Sequence, residues 1–131
     1  MTLSIYEQDS GGVVRDQDTR PVMSGATFQG KPAQFAAINV SVGQTQLVAA
    51  AGAGLAIKVV SYVIVAASAV TVKFQSGNID LTGPMSLAAN GGCAVLSTPS
   101  AHLFQTAVNT ALNINIGGTV TVTGHLAYFV E

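Results

Sequence analysis

Charged side chains are scarce in this sequence. Asp, Glu, Lys and Arg make up 8% of the residues, whereas a soluble domain usually has about 25%. The 95 residues from Ala37 to Glu131 hold only Lys58, Lys73, Asp80 and Glu131. The other seven charges lie in the first 36 residues: Glu7, Asp9, Arg15, Asp16, Asp18, Arg20 and Lys31. A surface with so few charges is poorly suited to water, so we expect another protein subunit to cover much of it.

Tryptophan and clustered basic residues are also missing. The five Lys and Arg are scattered, and the eight Phe and Tyr are not interleaved with them. Nucleic-acid binding needs a basic face or aromatic stacking platforms beside one, so we expect no nucleic-acid partner.

Cysteine occurs once, at Cys93. A single cysteine cannot form an internal disulfide, which is typical of a protein made in a reducing cytoplasm. No His, Lys or Arg lies near Cys93 in the sequence to activate its thiol. We therefore predict that Cys93 is a small buried apolar residue.

Signals for export or membrane insertion are not evident. The N-terminal residues have neither a basic start nor the apolar stretch of a signal peptide. Residues 47–72 are long and apolar enough to span a bilayer, but Lys58 lies near their middle and glycines divide them into pieces of strand length. We expect no membrane partner.

The chain divides into two parts by pattern. Residues 1–36 show no sustained period, contain Gly and Pro breakers, and are predicted to form an extended polar N-terminal arm with one short strand near residues 23–28. Residues 37–131 alternate apolar and polar residues, as in Val70, Val72 and Phe74 or in Leu112, Ile114 and Ile116. This pattern predicts an all-β fold: a single antiparallel β-sandwich or jelly roll of about seven or eight strands.

Three details of the strands lead to specific expectations. Residues 55–65 are apolar at odd and even positions alike, so one face should fill the core and the other should be covered, with an interface near Tyr62 or Ile64. Gly117-Gly118 suits a two-residue hairpin. Gln75 alternates with the apolar residues of its strand, so we expect it to be exposed and of little importance for stability.

Motifs for catalysis or cofactor binding are weak. Residues 25–31 match the opening of a phosphate-binding loop, but Pro32 replaces the Ser or Thr that would hold Mg²⁺. His102 and His125 have no further metal ligands at suitable spacing, and a triad of Asp80, His125 and a serine has no supporting motif. We expect no enzyme activity, no catalytic, cofactor-binding or metal-binding residues, and no cofactor.

A sugar-binding sandwich is an alternative. Such a site needs exposed aromatic platforms with polar partners, although aromatic residues on strands more often belong to a core or interface. The candidate platforms are Tyr6, Tyr62, Phe104, Tyr128 and Phe129.

The sequence from Lys73 to Gly92, KFQSGNIDLTGPMSLAANGG, is more distinctive than any strand pattern. Together with the strand from Ile57 to Ala66 and the ending from Ala111 to Glu131, it resembles small β-sandwich virion proteins of tailed bacteriophages. Within that group the chain is most similar to capsid decoration, or cement, proteins. The resemblance covers residues 57–131 and leaves the N-terminal arm unmatched.

The resemblance implies an assembly role without catalytic residues. Decoration proteins of this kind typically form homotrimers on the outer surface of the capsid and clamp subunits of the major capsid protein. The resemblance thus implies a virion protein that stabilises the shell. A receptor- or glycan-binding domain at a fibre or tail tip is the alternative that the same resemblance leaves open.

Overall fold

The computed structural model describes residues 27–28, 30–98 and 100–131, and this part of the chain contains strands and turns but no helix. Its twelve strands, in chain order, are β1 Thr27–Phe28, β2 Lys31–Pro32, β3 Gln34–Val40, β4 Gln44–Val48, β5 Ile57–Ala66, β6 Val70–Ser76, β7 Ile79–Asp80, β8 Met85–Leu87, β9 Gly92–Leu96, β10 Phe104–Gln105, β11 Leu112–Ile116 and β12 Val122–Val130.

Two five-stranded antiparallel sheets form the body. In sheet I, β12 lies between β3 and β5, and the other side of β5 pairs with β9 and β10. In sheet II, β11 lies between β4 and β6, and the other side of β6 pairs with β7 and β8. β1 and β2 form a separate small hairpin. The expected all-β sandwich is confirmed, and eight of its strands have three or more residues.

Alternation of side chains builds the core between the sheets. Val72, Phe74, Leu112 and Ile114 point inward from sheet II and are fully buried, as predicted. Sheet I contributes the buried Ile38, Ile57, Val59, Ile64, Val122 and Leu126. Most are β-branched or aromatic residues, which fit the pleated surface of a strand. Burying this set is the main force that holds the two sheets together.

A β-bulge in β5 explains why residues 55–65 are apolar at both odd and even positions. Tyr128 of β12 pairs with Val59, but the preceding Ala127 pairs with Ser61, so Val60 is an extra residue. The bulge changes the phase of the alternation, so that Val59 points inward before it and Tyr62 after it. The expected interface near Tyr62 or Ile64 is therefore wrong, because both side chains are buried in the core of their own chain.

The predicted hairpin at Gly117-Gly118 is also wrong. β11 belongs to sheet II and β12 to sheet I, so residues 117–121 cross from one sheet to the other. Gly117 donates a backbone hydrogen bond of 2.9 Å to Thr71. A Cβ atom there would lie too close to the Thr71 hydroxyl oxygen, which is a reason for glycine at this position other than a tight turn.

The predicted arm falls only partly within the described residues. Residues 1–26 and 29 lie outside them. Of the remainder, 27–32 carry the β1–β2 hairpin, which includes the last two residues of the predicted strand at 23–28. β3 begins at Gln34, so the expected boundary at Ala37 falls inside a strand of sheet I.

Candidate functional site

Twelve adjoining positions on the outer face of sheet I hold no charged residue, and we call this part of the face the neutral face. They form three rows across strands β3, β12, β5 and β9, because the strand registers place their members opposite one another. In that strand order, the rows are Phe35, Ala127, Ser61, Leu96; then Ala37, His125, Val63, Ala94; then Asn39, Thr123, Val65, Gly92.

Large apolar side chains are exposed on the neutral face. Leu96 is 81% exposed, Phe35 69% and Val65 42%. The residues between Phe35 and Leu96 in their row, Ala127 and Ser61, are short. The face thus combines projecting apolar side chains with a shallow centre, a combination suited to contact with another surface.

The charged side chains of the described body lie outside the neutral face, although Lys58 occupies the next row of the same outer face, opposite Phe129 of β12. Lys58 pairs with Glu131 across 2.8 Å at one end of sheet I. Lys73 pairs with Asp80 across 3.1 Å on the outer face of sheet II. Both pairs are partly or largely exposed, so each contributes little to stability. Their placement leaves His125 as the neutral face's single titratable side chain.

A second exposed apolar surface lies at one end of the sandwich, and we call it the apolar end. Three loops meet there: Asn109 N donates to Leu55 O at 2.7 Å, and Gly77 N donates to Ala111 O at 2.9 Å. The exposed hydrophobic residues on or beside these loops are Leu55, Ile79 and Val108. Along the chain, Lys58 lies between Leu55 and Ser61, so the Lys58–Glu131 pair separates the apolar end from the neutral face.

The outer face of sheet II carries a network of amide side chains. Gln75 Oε1 accepts hydrogen bonds from Gln44 Nε2 at 2.9 Å and Asn115 Nδ2 at 3.3 Å, while its Nε2 donates to Asp80 Oδ1 at 2.7 Å. Gln44 Nε2 also donates to Gly77 O at 2.8 Å. The network joins β4, β6, β7 and β11. The expectation that Gln75 is exposed is wrong, since these neighbours leave only 5% of it accessible.

The carboxyl group of Asp80 is affected by this network. The hydrogen bond from Gln75, followed by that from Lys73, lowers the pKa of Asp80 below its ordinary value. Hydrogen bonds to the charged form of a carboxyl group stabilise that form. At the other end of the chain, the hydrogen bond from Lys58 and its charge lower the pKa of Glu131 in the same way.

The aromatic residues considered for sugar binding are packed against the protein. Tyr62, Tyr128 and Phe129 are buried, and Phe104 packs against the core. The ring centroids of Tyr62 and Phe74 are 4.9 Å apart, and those of Phe74 and Phe104 5.4 Å. None of the four forms an exposed platform, and Tyr6 lies outside the described residues.

The residues considered for catalysis are not brought together. Asp80 lies on the outer face of sheet II and His125 on that of sheet I. His102 instead contacts the edge of the Phe129 ring, with centroids 6.4 Å apart. Gly30, one of the residues that match the opening of a phosphate-binding loop, lies between β1 and β2 with a positive φ of 77°. In the described part of the chain, no three His, Cys, Asp or Glu are grouped as metal ligands would be.

Cys93 occupies an inward position at the edge of the core. It pairs with Ile64 across β9 and β5, and its half-buried side chain packs against the core cluster. Burial, followed by a smaller electrostatic effect of Cys93, raises the pKa of the neighbouring Tyr62. The Tyr62 hydroxyl donates to Met85 Sδ at 3.4 Å.

The described residues contain no helix long and apolar enough to span a membrane.

Comparisons with known proteins give few matches. No protein-family profile matches the sequence, and no curated protein does. Among solved structures, the chain is similar to one from the cryo-EM structure of the extra small virus (XSV) VLP of the giant freshwater prawn Macrobrachium rosenbergii. The two are 14% identical over 87% of this chain and 89% of the other, with a TM-score of 0.35. A likeness at this level assigns no function to the chain.

Proposed function

We propose that this protein is a structural component of a virus particle, a decoration protein that attaches to the outer surface of a phage capsid and stabilises the shell. The observation that carries the proposal is the presence of two separate uncovered apolar surfaces, the neutral face and the apolar end, on one small sandwich. The sequence resemblance to phage decoration proteins supports the same function.

The number of apolar surfaces on a subunit limits the kind of assembly that it can form. One apolar surface suffices for a simple closed pair. A component of a repeating assembly must contact a sister subunit and the lattice beneath it, so it needs at least two. We assign the apolar end to the capsid contact, because Leu55 and Val108 project from loops, where binding residues are often found, and Ile79 lies beside a loop at the start of β7.

Repetition makes modest contacts sufficient. When several copies are joined, the second contact with the lattice becomes intramolecular, and the combined affinity exceeds that of either contact alone by about 10²- to 10⁴-fold. Residues 1–36, which hold seven of the eleven charges, would supply a further contact with the shell. The particle would thus be clamped by many copies, each weakly held.

The experiment that tests this function determines where the protein lies and how many copies there are. We expect electron microscopy of labelled particles to show it on the head, and quantitative mass spectrometry to find hundreds of copies per particle. Particles that lack it should open at a lower temperature. Detection of a handful of copies at the tail would instead support the receptor- or glycan-binding alternative.

A matched pair of variants tests the assignment of the apolar end. Val108→Lys introduces a charge there and should reduce binding of the purified protein to undecorated particles about tenfold or more, a loss of about 1.4 kcal/mol. Thr119→Lys adds the same charge at the opposite end of the sandwich and should bind normally. Equal binding by both variants would contradict the assignment.

A further inference from the structure

We propose that the neutral face packs against the same face of a second copy of this chain. The two copies would be related by a two-fold axis that runs parallel to the cross-strand rows, between the first row and the second. The proposal goes beyond the particle function, because it applies to the purified protein whatever particle it joins.

The sizes of the side chains in the first two rows support this arrangement. Across β3, β12, β5 and β9, the first row reads large, small, small, large: Phe35, Ala127, Ser61, Leu96. The second row reads small, large, medium, small: Ala37, His125, Val63, Ala94. On each strand, the larger side chain of one row therefore lies next to a smaller side chain of the other row.

The proposed axis superimposes these rows. A half-turn about it places the first row of one copy over the second row of the other while keeping the order of strands. Phe35 then lies over Ala37 of the second copy, and Leu96 over its Ala94. In the shallow centre, Ala127 receives His125. Sheets stacked about 10 Å apart interdigitate their side chains in this way, and the usual twist between them is a modest adjustment.

Electrostatics also favours a copy of the same chain. A two-fold axis brings identical surfaces together, so a charged face would meet its own charge. The two rows that face each other have no charged residue. Lys58 lies on the same outer face, one row beyond the first, where it is already paired with Glu131 of its own chain. The axis leaves each His125 opposite an alanine, so the two His125 side chains do not face each other.

The area of the facing surfaces limits the stability of the dimer. With strands about 4.8 Å apart and alternate residues about 6.8 Å apart, the eight positions of the first two rows cover roughly 260 Å². A stable interface buries about 800 Å² on each partner. We therefore expect a reversible dimer that forms at high micromolar concentrations, which differs from the trimer that the family resemblance implies.

Sedimentation equilibrium of the purified protein tests the proposal. We expect a monomer–dimer equilibrium between about 1 and 500 µM. Leu96→Lys should weaken the dimer about tenfold or more, since the charge would be buried without a partner. Val108→Lys, the same kind of change at the apolar end, should leave it unchanged. A protein that stays monomeric throughout, or equal weakening by both variants, would overturn the proposal.

A size exchange tests the two-fold register itself. Phe35→Ala and Ala37→Phe should each weaken the dimer, because one leaves a gap and the other a clash. The double variant restores one large and one small residue at the facing positions, so its association should return to within about threefold of the wild type. Additive losses, or a wild-type trimer by mass, would contradict this register. All these positions are exposed, and circular dichroism checks that each variant is folded.

The results separate this proposal from the particle function. A protein that dimerises through the neutral face but is absent from particles would contradict the particle function alone. A protein found on capsids whose association is unaffected by Leu96→Lys would contradict the dimer alone.

Discussion

Gln75, on β6, links its own strand to three other strands of sheet II through its single side-chain amide. Its oxygen accepts hydrogen bonds from Gln44 and Asn115, and its nitrogen donates to Asp80. Sequence alternation correctly placed this side chain on the outer face. It could not reveal the burial, because that depends on amides from strands about 30 and 40 residues away that lie beside Gln75 only once the sheet has formed.

Replacing Gln75 therefore has a measurable cost. Gln75→Ala should destabilise the fold by about 1–3 kcal/mol, since it removes three hydrogen bonds, one of them to a carboxylate. Gln46→Ala, on the exposed part of the same face, should change stability by less than about 0.5 kcal/mol. Denaturant titration measures the free energy of unfolding of both variants.

As a reference for the core, Phe74→Ala should lower the free energy of unfolding by about 3–5 kcal/mol.

Asp80 provides a second test of the same network. In the folded protein, NMR titration of its carboxyl carbon should give a pKa below the ordinary value, and Gln75→Ala should raise that pKa. A carboxyl pKa that is lowered by folding stabilises the protein above the unfolded-state pKa, and the effect is lost as the pH falls through the folded-state pKa. The pKa of Glu131, which is lowered by Lys58, should not respond to Gln75→Ala. An unchanged Asp80 titration in the variant would contradict the proposed cause.

At the scale of elements, β5 shows where sequence periodicity fails. The strand and its partly apolar outer face were predictable from its composition. The set of inward-facing residues was not predictable, because Val60 at the bulge shifts the phase of the side-chain alternation between Val59 and Tyr62. A bulge is defined by pairing with another strand, and β12 lies more than 50 residues away in sequence.

Deletions at two valines test this interpretation of the bulge. Deleting Val60 removes the extra residue and keeps Val59, Tyr62 and Ile64 pointing inward, at the loss of the hydrogen bond from Ser97 N to Val60 O. This variant should fold with a loss of about 1–3 kcal/mol. Deleting Val63 instead turns Ile64 outward and should cost more than about 4 kcal/mol. Thermal and denaturant unfolding compare the two, and similar losses would show that the bulge does not set the phase.

For the whole molecule, the scarcity of charge after residue 36 predicted a covered surface but not its position. The scarcity of charge did not point to Leu96 and Phe35, the most exposed side chains of the neutral face. The alternation in β9 could have predicted the exposure of Leu96, because Cys93 and Val95 point inward and Ala94 and Leu96 therefore point outward. Phe35 lay in the predicted arm. Only the pairing of β3, β12, β5 and β9 brings these residues onto one face.

The absence of charge on the neutral face also has a kinetic consequence. Oppositely charged surfaces attract each other over distance and can associate at about 10⁸–10⁹ M⁻¹s⁻¹ at low salt, whereas uncharged ones reach about 10⁵–10⁶ M⁻¹s⁻¹. Under the proposed pairing, two neutral faces would meet by unsteered diffusion, and their encounter rate should hardly vary with ionic strength. Local concentration then governs pairing, so copies brought together on a repeating surface would associate sooner than copies in dilute solution.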